Sequence, residues 1–150
     1  MVLERMLAAV EAWVTRDHDA DWKTWLAWLD AISARVSTVP GVKTTVQLPT
    51  GLSNKSPALT ISWDPAALHI TGEDVAEQLA RTKPRIALGA GGRGRQGDPA
   101  TTSISVTAWM MQPGDDAVAA SRIHGVLSQK RPARNTTMAA PSGNVAGRWD

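Results

Sequence analysis

The hydrophobic period of this chain changes once, at Val42, from the period of a helix to that of a strand. Before Val42, apolar residues recur every three or four positions over residues 3–14 and 22–36, which predicts two amphipathic helices. Pro40 and Gly41 end the second of them. From Val42 onward apolar and polar residues alternate as far as Leu48, which is typical of a half-buried strand. A chain with both periods cannot be all-helical or all-β.

The later segments extend this pattern. Strands are predicted over residues 59–63, 85–88 and 103–108. Helices are predicted over residues 71–82 and 113–129, and the first of these begins with a capping box at Thr71 and Asp74. The order α-α-β-β-α-β-β-α predicts an α+β fold. We expect a small, mainly antiparallel sheet of about four strands, with helices packed on one face, preceded by the two long amphipathic helices. Four tryptophans on those helices are expected in a packed seam; a platform for stacking a base or ring is the alternative.

Composition excludes several classes of protein. A chain of 150 residues has room for one domain, and its 43% of hydrophobic residues is an ordinary globular proportion. The absence of cysteine excludes disulfides, thiolate metal sites and thiol nucleophiles. There is no run of eighteen apolar residues, and residues 1–14 lack the features of a signal peptide. We therefore expect a cytoplasmic protein without a membrane partner.

Charge is distributed unevenly along the chain. Residues 1–80 contain six basic and ten acidic side chains, whereas residues 81–150 contain ten basic and four acidic ones. Arg93 and Arg95 lie in the glycine-rich loop of residues 89–97, where their guanidinium groups are candidates for binding a carboxylate or phosphate. A surface hairpin kept soluble by its arginines is the alternative interpretation. Nucleic acid is not an expected partner, because the loop lacks interleaved aromatic residues.

No catalytic constellation is recognisable. Residues 89–94 match the spacing G-x-G-x-x-G after a predicted strand, but residues 95–99 (RQGDP) cannot begin the helix that a dinucleotide site requires. The three histidines are dispersed without metal-ligand spacing, and no serine lies in a nucleophile elbow. The sequence thus predicts no catalytic residue and no metal site.

Four stretches together resemble the C-terminal small domain of fold-type I pyridoxal-phosphate (PLP) enzymes. The similarity is to the class V aminotransferase set, in the branch of selenocysteine synthase and D-glucosaminate-6-phosphate ammonia-lyase. The stretches are LAAVEAWVTRDHDADWKTWLAWLDAISARVSTVPGV, GLSNKSPALTISWD, ITGEDVAEQLARTKPRIAL and DPATTSISVTAWMMQPGDDAVAASRIHGVLS, which cover roughly residues 2–129.

The resemblance implies a small-domain fragment of a PLP-dependent lyase or transferase acting on an amino acid or amino sugar acid. The family's Schiff-base lysine and phosphate-binding loop belong to a larger upstream domain and have no counterpart here, so the fragment is not expected to bind PLP or catalyse alone. The family often uses a small-domain arginine for the substrate carboxylate, and Arg85 is the candidate; a surface salt bridge is an equally good role for it. The implied organisation is residues 1–36 as helices linking to the missing domain, 37–130 as the small domain and 131–150 as a flexible tail or linker.

Two alternatives from other classes remain open. One is a stand-alone α+β module that binds anions or RNA through the loop of residues 89–97. The other is a dimerisation domain that uses the tryptophan-bearing faces of the first two helices, because an isolated small domain would leave apolar surface uncovered. A homo-oligomer is expected both for the parent enzyme and for a dimerisation domain.

Overall fold

A computed structural model describes residues 2–50, 56–91 and 101–132 of the chain. Nine elements lie in these ranges: α1 (Val2–Thr15), α2 (His18–Val36), β1 (Lys43–Gln47), β2 (Ala58–Trp63), α3 (Pro65–Leu68), α4 (Gly72–Arg81), β3 (Gly89–Gly91), β4 (Thr102–Thr107) and α5 (Asp115–Leu127). The predicted α+β class is confirmed.

The strands lie in the order β1-β2-β4-β3, and each pairs antiparallel with its neighbours. The register places Thr44, Ile61 and Ile104 opposite one another, so these three side chains share one face of the sheet. The alternation predicted for the second and fourth strands is confirmed, because Leu59, Ile61 and Trp63, and then Ile104 and Val106, are buried. The opposite face carries small hydroxyl side chains.

Three helices contribute to the core with the apolar sheet face. Their buried residues are Leu29, Ile32 and Val36 of α2, Val75 and Leu79 of α4, and Ala119, Ala120, Ile123, Val126 and Leu127 of α5. No polar or charged residue in the described ranges is buried. The interior is therefore apolar throughout that part of the chain.

The packing of α4 onto β4 depends on one glycine. A Cβ at Gly72 would lie 2.3 Å from the carbonyl oxygen of Ser103, so only glycine permits this approach. The amide of Gly72 donates a hydrogen bond to Thr102 Oγ1 at 2.8 Å. The predicted capping box is confirmed: Thr71 Oγ1 accepts from the Asp74 amide at 3.3 Å and the Asp74 carboxylate accepts from the Thr71 amide at 3.2 Å. The start of α4 is thus fixed both locally and against the sheet.

Three expectations are corrected by the structure. Residues 85–88 are not a strand; the Ile86 amide donates to the carbonyl oxygen of Leu79 at 3.0 Å, which ties this segment to α4, and β3 begins only at Gly89. β1 is less buried than predicted, because it is an edge strand and Val46 and Leu48 remain exposed. Trp13 is not in a packed seam but is 65% exposed, whereas Trp25 and Trp28 do pack against the core.

Candidate carboxylate-binding segment and an uncovered helix

Arg85 lies in the connection between α4 and β3, and this connection is anchored on both sides of it. On the amino-terminal side, Thr82 caps α4: its amide and its hydroxyl both donate to the carbonyl oxygen of Gln78, at 3.1 and 2.7 Å. On the carboxyl-terminal side, Ile86 is held by its hydrogen bond to the Leu79 carbonyl. Only Lys83, Pro84 and Arg85 lie between the anchors, with a cis peptide bond before Pro84.

A second helix reinforces the first anchor. The guanidinium group of Arg122, on α5, donates a hydrogen bond to Thr82 Oγ1. Arg122 Nε is enclosed and has no hydrogen-bond partner among the described atoms, so the terminal nitrogen makes the contact with α4. Arg122 therefore connects α5 to the segment that carries Arg85.

The Arg85 side chain points away from the core. Ile86 and Leu88 are half-buried and pack against the core, whereas Arg85 and Ala87 are exposed. Within the described ranges, the Arg85 guanidinium makes no hydrogen bond or ion pair. The neighbouring Arg81 differs in this respect, since it pairs with Glu77 at 2.5 Å. Arg85 is thus an exposed cation on an anchored backbone, and none of its donors is used by another described residue.

The sequence reasoning missed Arg122 and Thr82. A signal for Arg122 was present, since it lies three residues after Ala119 and four before Val126, which places a basic residue on the buried face of α5. Such a position indicates a side chain that reaches a specific partner. The partner, Thr82, has no comparable signal, because its selection depends on how α4 and α5 meet.

The anion-binding loop falls mostly outside the described residues. Of residues 89–97, the structure describes only Gly89–Gly91, which form β3 and pair with Ser103, Ile104 and Ser105 of β4. Arg93 and Arg95 lie outside the described ranges, as does most of the predicted tail of residues 131–150. Anion binding by the loop stays a prediction.

The described residues contain neither an enclosed lysine nor a metal-ligating cluster. Lys23, Lys43, Lys83 and Lys130 are all exposed, so none of these four lies in an enclosed position suited to a Schiff base. No group of three or more histidine or acidic residues in the described ranges could hold a metal ion. The candidate binding features in this part of the chain are both exposed: the Arg85 segment and the apolar face of α1.

α1 has an apolar face that nothing in the described structure covers. The helix contains no buried residue, and its apolar side chains are between 57 and 79% exposed: Val2, Leu3, Met6, Leu7, Val10, Trp13 and Val14.

Specific contacts nonetheless order the junction between α1 and α2. Asp17 caps α2 by accepting from the Ala20 amide at 2.9 Å, and Arg16 pairs with Asp21.

The junction also fixes the end of α1. His18 Nε2 lies 3.0 Å from the carbonyl oxygen of Trp13, and the two rings pack at a centroid distance of 4.6 Å. These contacts bridge the break between α1 and α2.

Comparison with known proteins assigns no family: no family model matches the chain, and no curated protein is significantly similar to it. None of the helices in the described ranges combines the length and apolar character needed to cross a membrane.

Proposed function

We propose that this chain is the small domain of a PLP-dependent lyase or transferase acting on an amino acid or amino sugar acid, and that Arg85 binds the carboxylate of the substrate. The proposal combines the resemblance given above with one structural observation, the exposed guanidinium of Arg85 on an anchored segment, which has no partner among the described residues. A cytoplasmic location and a small-molecule substrate belong to the same proposal.

The chemistry of Arg85 suits this role. The guanidinium group is planar and presents parallel N–H donors, which match the two oxygens of a carboxylate. The anchors at Thr82 and Ile86 hold the backbone on both sides of Arg85, so little backbone freedom is lost when a substrate binds. An arginine already engaged in an ion pair, such as Arg81, would have to give up its partner first.

PLP does not fit the described residues, which include no enclosed lysine. In the proposed enzyme, PLP stabilises carbanionic charge from a separate domain. The contribution of this chain is limited to holding and orienting the carboxylate. Orientation of this kind contributes to rate, because it keeps the reacting group in a productive position.

The first experiment asks whether a cofactor domain exists. The coding sequence upstream of this chain in its source genome is expected to encode a domain with a PLP-binding lysine, in the same or an adjacent reading frame. When PLP is titrated with the isolated chain, we expect the same absorbance spectrum as when it is titrated with a control protein of similar lysine content. A genome without such a coding sequence would contradict the proposal.

The second experiment tests Arg85 in the complete enzyme. Arg85→Ala is expected to raise KM for the amino acid substrate about 10- to 100-fold, since hydrogen bonds to charged groups contribute about 1.5–3 kcal/mol. Arg85→Lys keeps the charge but not the paired donors and should recover only part of this. Arg81→Ala, which removes a neighbouring exposed arginine, is the matched control. Equal KM values for Arg85→Ala and Arg81→Ala would remove Arg85 from the site.

A further inference from the structure

Arg122 of α5 is a half-buried cation without an acidic partner among the described residues. Its Nε is enclosed without a hydrogen-bond partner, and its terminal nitrogen donates to Thr82 Oγ1 at the end of α4. Enclosing part of a guanidinium group costs free energy unless its donors are satisfied. Within the described ranges, the hydrogen bond to Thr82 is the polar interaction that holds Arg122 in this position.

The Thr82 hydroxyl connects Arg122 to the last turn of α4. It accepts the hydrogen bond from Arg122 and donates its own proton to the Gln78 carbonyl oxygen at 2.7 Å. A hydroxyl has one donor and two acceptor sites, so both bonds form at once. A charged donor polarises the hydroxyl and strengthens the bond that the hydroxyl donates in turn. The positive charge of Arg122 also lies at the carboxyl-terminal end of α4, where the helix dipole favours it.

We propose that Arg122 is a positioning residue for Arg85 and acts through Thr82. Arg85 follows Thr82 by three residues, so the chain between their Cα atoms spans at most about 11 Å. On the other side of Arg85, Ile86 is tied to Leu79 by a separate hydrogen bond of 3.0 Å. Removing Arg122 leaves the backbone of Arg85 firmly held on one side only. This inference rests on the proposed function, since it names a residue that supports the same carboxylate site.

Arg122 affects substrate binding through the order of the Arg85 backbone. A looser segment loses more conformational freedom when it binds a ligand, and this loss weakens the affinity. We expect an effect of about three- to tenfold on KM, which is the weight of one intramolecular hydrogen bond in an equilibrium. The effect is smaller than that of Arg85→Ala, which removes the binding group itself.

Hydrogen exchange of the full chain tests the anchor without substrate or PLP. Arg122→Met keeps an unbranched apolar stem and removes the donors, and it should raise exchange of the Thr82 amide, which donates to Gln78, about three- to tenfold. The Val75 amide, which donates to Thr71 at the start of α4, is the internal control and should not change. Arg122→Lys keeps a charged donor and should restore part of the protection. Unchanged exchange at Thr82 in Arg122→Met, or an equal rise at Val75, overturns the proposal.

A second variant separates the hydrogen bond from packing of the Arg122 stem. Thr82→Val keeps the shape of the side chain and removes the hydroxyl through which Arg122 acts. In this background, Arg122→Met should not raise exchange of the residue 82 amide any further. A further rise as large as in the wild-type background would mean that Arg122 acts by packing, and would overturn its action through Thr82.

The complete enzyme tests whether the anchor serves the site. Arg122→Met should raise KM for the amino acid substrate about three- to tenfold, and should add nothing in the Arg85→Ala background. Arg81→Ala, which removes an exposed arginine at the end of α4, is the matched control and should leave KM unchanged.

The two measurements distinguish failure of the positioning role from failure of the proposed function. Raised exchange with a wild-type KM, in an enzyme whose KM does respond to Arg85→Ala, overturns the positioning role alone. A KM that responds to neither Arg85→Ala nor Arg122→Met contradicts the proposed function, and with it the role of Arg122 in binding, even where the exchange result holds.

Discussion

α1 and α4 are both amphipathic helices by sequence, yet only α4 is part of the core. α4 has ten residues, begins with a capping box, and buries Gly72, Val75 and Leu79 against the sheet. α1 is longer, with 14 residues, and buries none of them within the described structure. The difference teaches that an apolar face predicts that a helix will be covered, but not by what. For α4 the covering surface is β4 of the same chain; for α1 none of the described residues supplies one.

The comparison predicts that the same substitution, leucine to alanine, strongly lowers the free energy of unfolding in α4 and hardly changes it in α1. Leu79→Ala removes a fully buried side chain of α4 and should lower the free energy of unfolding by about 2–5 kcal/mol. Leu7→Ala removes a side chain that is 60% exposed and should change it by no more than about 0.5 kcal/mol. Urea unfolding of both variants and of the wild type at one low protein concentration measures both changes.

Comparable losses in these two variants would break the comparison. They would mean that the Leu7 side chain is packed in the folded chain, contrary to its exposure in the structure. A loss of stability in Leu7→Ala that appears only at high protein concentration would instead indicate that this face is covered by association, because association stabilises the folded state by mass action.

A smaller effect is expected where α4 touches the sheet. Gly72→Ala forces a methyl group against the Ser103 carbonyl, a backbone group that cannot rotate away, and should cost about 1–3 kcal/mol. The matched control is Gly125→Ala in α5, where a Cβ meets nothing within 4 Å. That variant should be neutral or stabilised by up to about 1 kcal/mol, since alanine favours helix more than glycine does. Thermal unfolding followed by circular dichroism compares the two.

If Gly72→Ala were as well tolerated as Gly125→Ala, the close approach of the start of α4 to Ser103 of β4 would be wrong. The hydrogen bond from the Gly72 amide to Thr102 Oγ1 would then also be in question, because it depends on the same approach.

Much of this fold is predictable from local pattern. The burial of Leu59, Ile61 and Trp63 follows from alternation, and the start of α4 follows from Thr71 and Asp74. These features depend on residues close in sequence.

The features that sequence pattern did not predict depend on contacts between distant residues. The segment of residues 85–88 has an alternating pattern, but a hydrogen bond back to Leu79 keeps it out of the sheet. The exposure of Trp13 and the contact between Arg122 and Thr82 are likewise set by which elements meet. Of the candidate site residues, Arg85 was identified by resemblance. Only the structure shows that its guanidinium has no partner among the described residues and that hydrogen bonds anchor the backbone on both sides of it.

The smallest predicted effect concerns the capping box at the start of α4. Thr71→Ala removes the hydroxyl that accepts from the Asp74 amide and should cost about 0.5–2 kcal/mol. Thr71→Ser keeps the hydroxyl and is the control, expected within about 0.5 kcal/mol of wild type. Hydrogen exchange of the α4 amides locates the loss, which should be concentrated in the first turn of α4 and spare α1, since the cap acts only on nearby donors. Equal loss of protection in α1 would mean that the two helices unfold together, and that α1 is tied to the core by contacts stronger than those at the junction of Trp13 with His18.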